Sequence, residues 1–207
     1  MNWQSYDFFM VIDLEATCCD RHSIPRNQIE TIEIGAVMID RTSRQPISEF
    51  QTFIRPVRHP QLTEFCQTLT SISQAELDRA PTFAEAIVPF QTWLATYPNY
   101  LFCSWGAFDL SQIKRDCRYH NLDWKIKSSH CNLRTRFHRL SKKGLLTDIN
   151  SHPIKTQEKY GLQQALELLG IAIEGTPHRG IDDARNTAKL IPHLFTPDCT
   201  DKHPQPK

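Results

Sequence analysis

The feature that most limits the possible folds of this chain is a short apolar segment ending in two carboxylates. Residues 8–14 (FFMVIDL) are aromatic and aliphatic up to Asp13, and Glu15 follows Leu14. A run of this length and composition predicts a strand buried on both faces of a sheet. Because side chains alternate along a strand, Asp13 and Glu15 are expected on one face, roughly 6–7 Å apart.

Two like charges on one face of a core strand are unfavourable unless a cation neutralises them. Carboxylate oxygens are the ligands that hard cations such as Mg²⁺ and Mn²⁺ prefer. The alternative interpretation of Asp13 and Glu15 is a solvated strand end that leads into a loop. Spacing alone does not separate these two interpretations, because Asp-x-Glu is a common pattern.

A third carboxylate, Asp109, follows the apolar segment 100–105 at the point where a strand gives way to a helix. The simplest interpretation of Asp109 is an N-cap, which accepts a hydrogen bond from the first helical turn. The same position lies at the carboxyl edge of the sheet, where open α/β folds place their binding sites. Both interpretations stay open from the residues alone.

A histidine and two adjacent aspartates precede the last predicted helix, at His178, Asp182 and Asp183. On a continuous helix, His178 and Asp183 would be separated by about 140° at 3.6 residues per turn. They converge only if His178 lies on a loop, which the flexibility of Gly180 favours. Asp182 is interpreted as a cap that also favours the helix dipole.

The remaining pattern predicts an α/β protein with a mixed central sheet, because strands come first and then alternate with helices. Ser73 with Glu76 and Thr82 with Glu85 match the capping box that opens a helix. Gly170 is the expected end of a helix over 162–169. The predicted strands are 8–14, 29–39, 50–54 and 100–105, and the other predicted helices are 82–97, 110–120 and 182–195, the last distorted near Pro192.

Composition bounds the class of protein. The chain has 207 residues, 40% of them hydrophobic and 23% charged, with a net charge of +1. These values predict one globular domain over 1–195 and a short disordered tail over 196–207. The seven unpatterned cysteines indicate reduced thiols, and no segment resembles a signal peptide or a membrane span. We therefore expect a cytoplasmic protein that does not contact a membrane.

Four motifs in a fixed order resemble the DEDDh 3′-to-5′ exonucleases, a family with the RNase H-like fold. They are VIDLEATC at 11–18, IEIGAVMID at 32–40, SWGAFDL at 104–110 and HRGIDDARN at 178–186. Within that family the chain is most similar to exoribonucleases of the histone-mRNA 3′ exonuclease type. The resemblance implies a three-layer fold in which helices flank a mixed sheet.

The resemblance also implies the site residues. Asp13, Glu15, Asp109 and Asp183 would hold two divalent cations, Mg²⁺ or Mn²⁺, with Glu15 also counted as catalytic. His178 would act as the general base that takes a proton from the attacking water, a role suited to histidine near neutral pH. The implied contacts to the terminal nucleotide are Glu15, Ala16, Thr17, Phe65, Leu69, Thr70, Ile72, Phe108 and His178.

The function expected from this resemblance is hydrolysis of single-stranded RNA from its 3′ end, with release of nucleoside 5′-monophosphates. Three alternatives remain: a DNA-directed exonuclease or proofreading subunit, a nucleic-acid-binding module without activity, and a protein that regulates another factor by binding it, with nuclease activity secondary. The stretch 114–143 is basic and is interpreted either as a solvated helical face or as a track for phosphates. The sequence does not indicate which protein partners the chain has.

Overall fold

The computed structural model describes residues 2–20, 23–123, 128–154 and 159–196. The strands are β1 (Phe8–Ala16), β2 (Thr31–Asp40), β3 (Pro46–Phe53), β4 (Tyr100–Ser104) and β5 (His130–Asn132). The helices are α1 (Glu64–Thr70), α2 (Gln74–Asp78), α3 (Phe83–Ala95), α4 (Phe108–Tyr119), α5 (Leu133–Lys142), α6 (Leu162–Leu168), α7 (Gly180–Ala188) and α8 (Ile191–Leu194).

The strands form one mixed sheet in the order β3-β2-β1-β4-β5. The first three make an antiparallel meander, whereas β4 pairs in parallel with β1 and β5 in parallel with β4. β1 is the central strand, and residues 9–12 are fully buried. The predicted α/β class, the meander and the doubly buried first strand are therefore confirmed.

Helices cover both faces of the sheet and give it three layers. Alternation along β1 sends Phe9 and Val11 to one face and Met10 and Ile12 to the other. The first face packs against α5, α6, α7 and α8. The second face packs against α3 and α4. A smaller apolar cluster joins α1 and α2 to β2.

Local signals placed several helix ends correctly. Both predicted capping boxes are present, and they open α2 and α3. Gly170 follows α6 in the left-handed region, with a φ of 67°. The predicted helix 182–195 is observed as α7 and α8, and Pro192 lies in the first turn of α8, where its missing N–H is tolerated.

Three elements were not predicted: α1, β5 and α5. α1 has 7 residues and β5 has 3, too few to produce a clear periodicity. β5 exists because Cys131 and its neighbours pair with β4. α1 and β5 therefore depend on tertiary contacts more than on local sequence pattern, whereas α5 has 10 residues and a local signal in its N-cap, Asn132.

Within the described ranges, no helix combines the length and apolar character needed to cross a bilayer. Within those ranges, none of the six cysteines forms a disulfide. The predicted tail 196–207 lies outside the described residues from residue 197 onwards.

Candidate active site

β1 supplies two carboxylates to the face of the sheet covered by α7. Asp13 and Glu15 continue the alternating face to which Val11 belongs. In the antiparallel pair with β2, Asp13 lies opposite Gly35 and Glu15 lies opposite Glu33. The two predicted metal ligands therefore share one face, as the alternation of the strand requires.

Asp109 reaches the end of β1 from the other layer. The pairing between β1 and β4 ends at Val11 and Cys103. Beyond that point, the backbone N–H of Leu14 donates to Asp109 Oδ1 at 3.1 Å. The N-cap of α4 is Ala107, so the interpretation of Asp109 as an N-cap is wrong. Its buried carboxylate instead completes the backbone hydrogen bonding at the carboxyl edge of the sheet.

The turn before α7 brings His178 and Asp183 together. His178 lies outside the helix with a φ of 60°, a left-handed conformation that residues other than glycine rarely adopt. Its backbone N–H donates to Asp183 Oδ2 at 3.0 Å. The expectation that His178 lies on a loop is met, and this loop removes the angular separation that a continuous helix would impose.

Asp182 has a different role from the predicted one. The N-cap of α7 is Arg179, without a side-chain hydrogen bond, so the interpretation of Asp182 as the cap is wrong. Asp182 Oδ2 accepts the backbone N–H of Thr176 at 2.9 Å, and Asp182 Oδ1 lies 3.1 Å from Arg185 Nη1. Asp182 therefore fixes the turn that carries His178.

Glu15, His178 and Asp183 converge at one point. Each offers one ligand atom, and these atoms lie within 4.8 Å of one another. In the part of the chain that the structure describes, no other group of three or more histidine, cysteine or acidic side chains meets this geometry. Asp13 precedes Glu15 on the same strand face. The arrangement is a compact acidic site with one imidazole.

Two glycines allow α7 to approach the sheet closely enough to build this site. A Cβ at Gly35 would lie 2.1 Å from the carbonyl carbon of Gly180, and one at Gly180 would lie 3.1 Å from the carbonyl oxygen of Asp13. Gly180 is the first residue of α7 and not a loop residue. The prediction that Gly180 provides the loop is therefore wrong. Gly180 allows α7 to approach β1 and β2 closely, and His178 is the residue with the left-handed conformation.

Glu33, which lies in the motif Ile-Glu-Ile-Gly and is not expected to be catalytic, has a structural role that sequence reasoning did not predict. Its buried Oε2 accepts the backbone N–H of Gly180 at 2.9 Å and Nε of Arg179 at 3.3 Å. Its Oε1 accepts a hydrogen bond from Gln51 at 2.7 Å. The available signal was an acidic residue inside the apolar strand β2. Glu33 holds the start of α7 against the sheet.

The acidic site carries more negative charge than its surroundings offset. Burial and the charge of Asp109 raise the pKa of Asp13 well above its usual range. Burial, followed by the charge of Asp183, raises the pKa of Glu15 to about 8. Burial also raises the pKa of Asp109 to about 6, and it raises the pKa of Asp183. Hydrogen bonds to each of these two carboxylates act in the opposite direction and lower its pKa. Such a site favours a bound cation.

The predicted nucleotide contacts differ in accessibility. Phe65 is 41% exposed and Phe108 is 45% exposed, whereas Leu69 is half-buried. Thr70 and Ile72 are fully buried. The two phenylalanines are therefore available for stacking, while Thr70 and Ile72 belong to the interior beside α1.

The three residues at the end of β1 also differ. Glu15 faces the acidic site, and Ala16 is half-buried. The hydroxyl of Thr17 accepts the backbone N–H of Glu30 at 3.0 Å, which makes this side chain structural. The implied contact between this segment and a nucleotide stays a prediction.

The basic stretch 114–143 does not form one surface. Arg136 is buried, donates from Nε to the carbonyl of Leu194 at 2.9 Å and lies over the ring of Phe195. α4 and α5 pack on opposite faces of the sheet. Lys125 and Lys127 lie outside the described residues. The stretch is therefore divided between two layers.

A family model described as exonuclease (RNase_T) matches residues 10–191. Human 3′-5′ exoribonuclease 1 is 28% identical over 201 residues, covering 94% of this chain and 54% of the relative. ERI1 exoribonuclease 2 of Xenopus laevis is 28% identical over 223 residues, covering 96% of this chain and 30% of the relative. The chain thus spans about half the length, or less, of these curated relatives.

Solved structures of nucleases are also similar to this chain. The nuclease domain of 3′hExo, described as a DEDDh family member bound to rAMP, is similar at a TM-score of 0.77 and 28% identity, with coverage of 91% of this chain and 90% of that chain. Cell-death related nuclease 4 has a TM-score of 0.75 at 22% identity, over 91% of this chain and 63% of that one, and shows the shared fold alone. The RNase H-like fold is therefore confirmed, and the chain belongs to the exonuclease family, in its DEDDh 3′-to-5′ group.

Proposed function

We propose that this protein is a 3′-to-5′ exoribonuclease that hydrolyses single-stranded RNA from its 3′ end and releases nucleoside 5′-monophosphates. The observation that carries this proposal is the convergence of Glu15, His178 and Asp183 at the carboxyl edge of the sheet. Asp13 and Asp109 lie beside them, which completes the set of four acids and one histidine. Relatives named as exoribonucleases support RNA as the substrate.

The residues fit a pair of divalent cations. Asp13, Glu15, Asp109 and Asp183 offer the oxygen ligands that Mg²⁺ and Mn²⁺ prefer, and the raised pKa values of the four carboxylates indicate that positive charge is lacking. When bound, such cations supply electrophilic stabilisation of the phosphoryl oxygens and acidify a coordinated water.

The other steps belong to residues of the chain. His178 is exposed, so its imidazole is accessible to a water molecule and can take the proton that the water loses on attack. Asp183 orients the backbone of His178 through the hydrogen bond from its N–H. The N–H of Leu14 orients Asp109. Hydrogen bonds thus hold Asp109 and the backbone of His178 in place before substrate binds.

The proposed contacts with the substrate involve the end of β1 and two exposed aromatic rings. The terminal nucleotide is placed beside Glu15 and Ala16, with the exposed rings of Phe65 and Phe108 available for stacking on unpaired bases. The relative bound to rAMP contains a nucleoside monophosphate, the kind of product proposed. The single domain over 1–195 and the cytoplasmic location stay predictions.

The test uses single-stranded RNA and DNA of one sequence, each labelled at the 3′ or the 5′ end, with Mg²⁺, Mn²⁺ or EDTA. We expect release of labelled 3′-terminal mononucleotides from RNA in either metal and no cleavage in EDTA. An Asp13→Asn protein purified in parallel controls for contaminating nucleases. Faster cleavage of DNA would overturn the RNA assignment, and a folded protein that cleaves neither polymer would overturn the activity.

A further inference from the structure

The outer face of α4 is basic and runs away from the acidic site. At 3.6 residues per turn, its exposed positions fall within an arc of about 140°. They are Phe108, Ser111, Lys114, Arg118 and Tyr119, and the half-buried Arg115 lies on the same side. Asp109 and Asp116, the two acids of this helix, are buried on its inner side. The outer arc therefore carries three cations and no acidic side chain.

The cations of this face are available for a ligand. Within the described residues, neither Lys114 nor Arg118 forms an ion pair. Arg115 is held in place, because Nη1 donates to the carbonyl of Arg26 at 2.7 Å and to Gln112 at 2.9 Å. The inner acid Asp116 is engaged by hydrogen bonds from Thr31 and Gln112, so it does not neutralise the outer face.

The face borders a groove and two exposed aromatic rings. The groove has a volume of about 460 Å³ and is lined in part by Ser111, Lys114 and Arg118, with Asp123 as the acidic residue among its lining. Phe108 is 45% exposed. Tyr119 is 47% exposed, but the guanidinium of Arg58 lies over its ring at 4.0 Å from the centroid, so Phe108 is the more accessible ring. Proteins bind single-stranded nucleic acid with cations that contact the phosphates along a groove and with accessible aromatic rings on which the bases stack.

We propose that this face of α4 binds the phosphate backbone of single-stranded RNA on the 5′ side of the nucleotide in the active site. The inference rests on the proposed function, since the 3′ end of the same strand would occupy the acidic site. α4 begins beside that site at Asp109 and extends about 18 Å from it, at 1.5 Å per residue over 12 residues. A strand leaving the site along this helix meets Lys114 and then Arg118.

The test replaces the two unpaired cations and compares long with short substrates. The variant is Lys114→Gln with Arg118→Gln. The matched control is Lys142→Gln with Lys143→Gln, which removes the same charge from exposed positions on α5, in the opposite layer. The substrates are an oligoribonucleotide of about 16 nucleotides, the upper end of common site sizes, and a dinucleotide that does not extend along α4.

We expect the ratio of the KM for the oligoribonucleotide to the KM for the dinucleotide to rise about 10-fold in the variant and to stay unchanged in the control. The salt dependence of oligoribonucleotide binding should weaken by about 1.4 in the slope of log K against log salt, since each lost phosphate contact removes about 0.7. An unchanged ratio, or an equal change in the control, overturns the proposal.

A binding measurement separates this inference from the proposed function. If the wild type, the variant and the control all fail to cleave either substrate, the proposed exoribonuclease activity is wrong. Fluorescence anisotropy with labelled RNA then decides whether the α4 face binds RNA. Weaker, less salt-dependent binding by the variant alone supports the face as an RNA site. Equal binding by the variant and the wild type overturns the proposal that this face binds RNA. An acidic protein segment would then be the next candidate ligand for the α4 face.

Discussion

Asp13 lies among four other carboxylates of the site and its surroundings. The carboxylates that raise its pKa after burial are those of Asp109, Glu15, Asp183 and Glu33. A carboxylate in this position is unfavourable for folding in the absence of a cation and useful for binding one. Activity and metal-free stability should therefore respond in opposite directions when Asp13 is neutralised.

We expect Asp13→Asn to reduce the rate of cleavage by at least about 100-fold. Replacing residues that only support metal ligands costs up to about 100-fold in activity, and Asp13 is proposed as a ligand itself. Its melting temperature in EDTA should equal or exceed that of the wild type, because a crowded buried charge is removed. Asp40→Asn, at the opposite end of the β1–β2 pair, is the matched control. Near-normal turnover of Asp13→Asn would contradict the assignment of Asp13 as a metal ligand.

His178→Ala should lower kcat by about 10²–10⁴, the usual contribution of a general base. Mg²⁺ should still raise the melting temperature of the variant, since the four carboxylates remain, so the lower kcat would not come from a lost metal site. Turnover equal to that of the wild type would show that another group takes the proton.

At the scale of elements, the site depends on how α7 meets the sheet. α7 carries Asp183 and follows the turn of His178, and it is held by Glu33 through the N–H of Gly180. The side-chain hydrogen of Gly35 is the only substituent that fits beneath it. The positions of His178 and Asp183 are therefore set in part by two residues of β2, Glu33 and Gly35.

Glu33→Ala should destabilise the protein by about 3–5 kcal/mol, the cost of leaving one partner of a buried charged pair unsatisfied. Arg179 and the N–H of Gly180 would both lose their acceptor. Chemical denaturation measures the change, and Glu33→Gln, which keeps one acceptor oxygen, should recover part of it. Equal losses in the two variants would contradict a role for the hydrogen bond to α7.

Gly35→Ala should lower activity and destabilise the fold by about 1–3 kcal/mol or more, the range for overpacking. The new methyl group would overlap the backbone of Gly180 at 2.1 Å, so α7 must shift. Gly161→Ala is the control, because its Cβ would meet only Gln164 at 3.6 Å. Melting curves and turnover measure both effects, and wild-type values for Gly35→Ala would contradict the close contact.

For the whole molecule, the acidic site couples stability to pH and to metal. The pKa of Glu15 is raised from 4.5 to about 8, so the folded protein retains a proton that the unfolded chain releases across this range. The free energy of unfolding of the metal-free protein should therefore fall as pH rises through this window. Asp109, with a pKa of about 6, adds to the lower part of the window.

A divalent cation should reverse this effect, because it binds the deprotonated carboxylates. We expect Mg²⁺ to raise the melting temperature relative to EDTA by more at pH 8 than at pH 5. Thermal melts of the wild type measure the difference, and Glu15→Gln should reduce it. An equal Mg²⁺ effect at both pH values would contradict the linkage between these carboxylates and the metal.

The sequence by itself determined the strands of the meander, the capped helices and the order of the motifs. These features depend on neighbours along the chain: alternation placed Asp13 and Glu15 on one face, and the capping boxes placed the starts of α2 and α3. The resemblance carried by the motifs then supplied the family and the candidate ligands.

Only the tertiary structure decided what Asp109, Glu33 and Gly180 do. The hydrogen bond from Leu14 to Asp109 joins residues 95 apart, and the one from Gly180 to Glu33 joins residues 147 apart. From sequence alone, an aspartate at a helix start has a local explanation as a cap, and that explanation was wrong twice. Such long-range contacts leave no local pattern, because their partners meet only after the sheet and α7 have packed together.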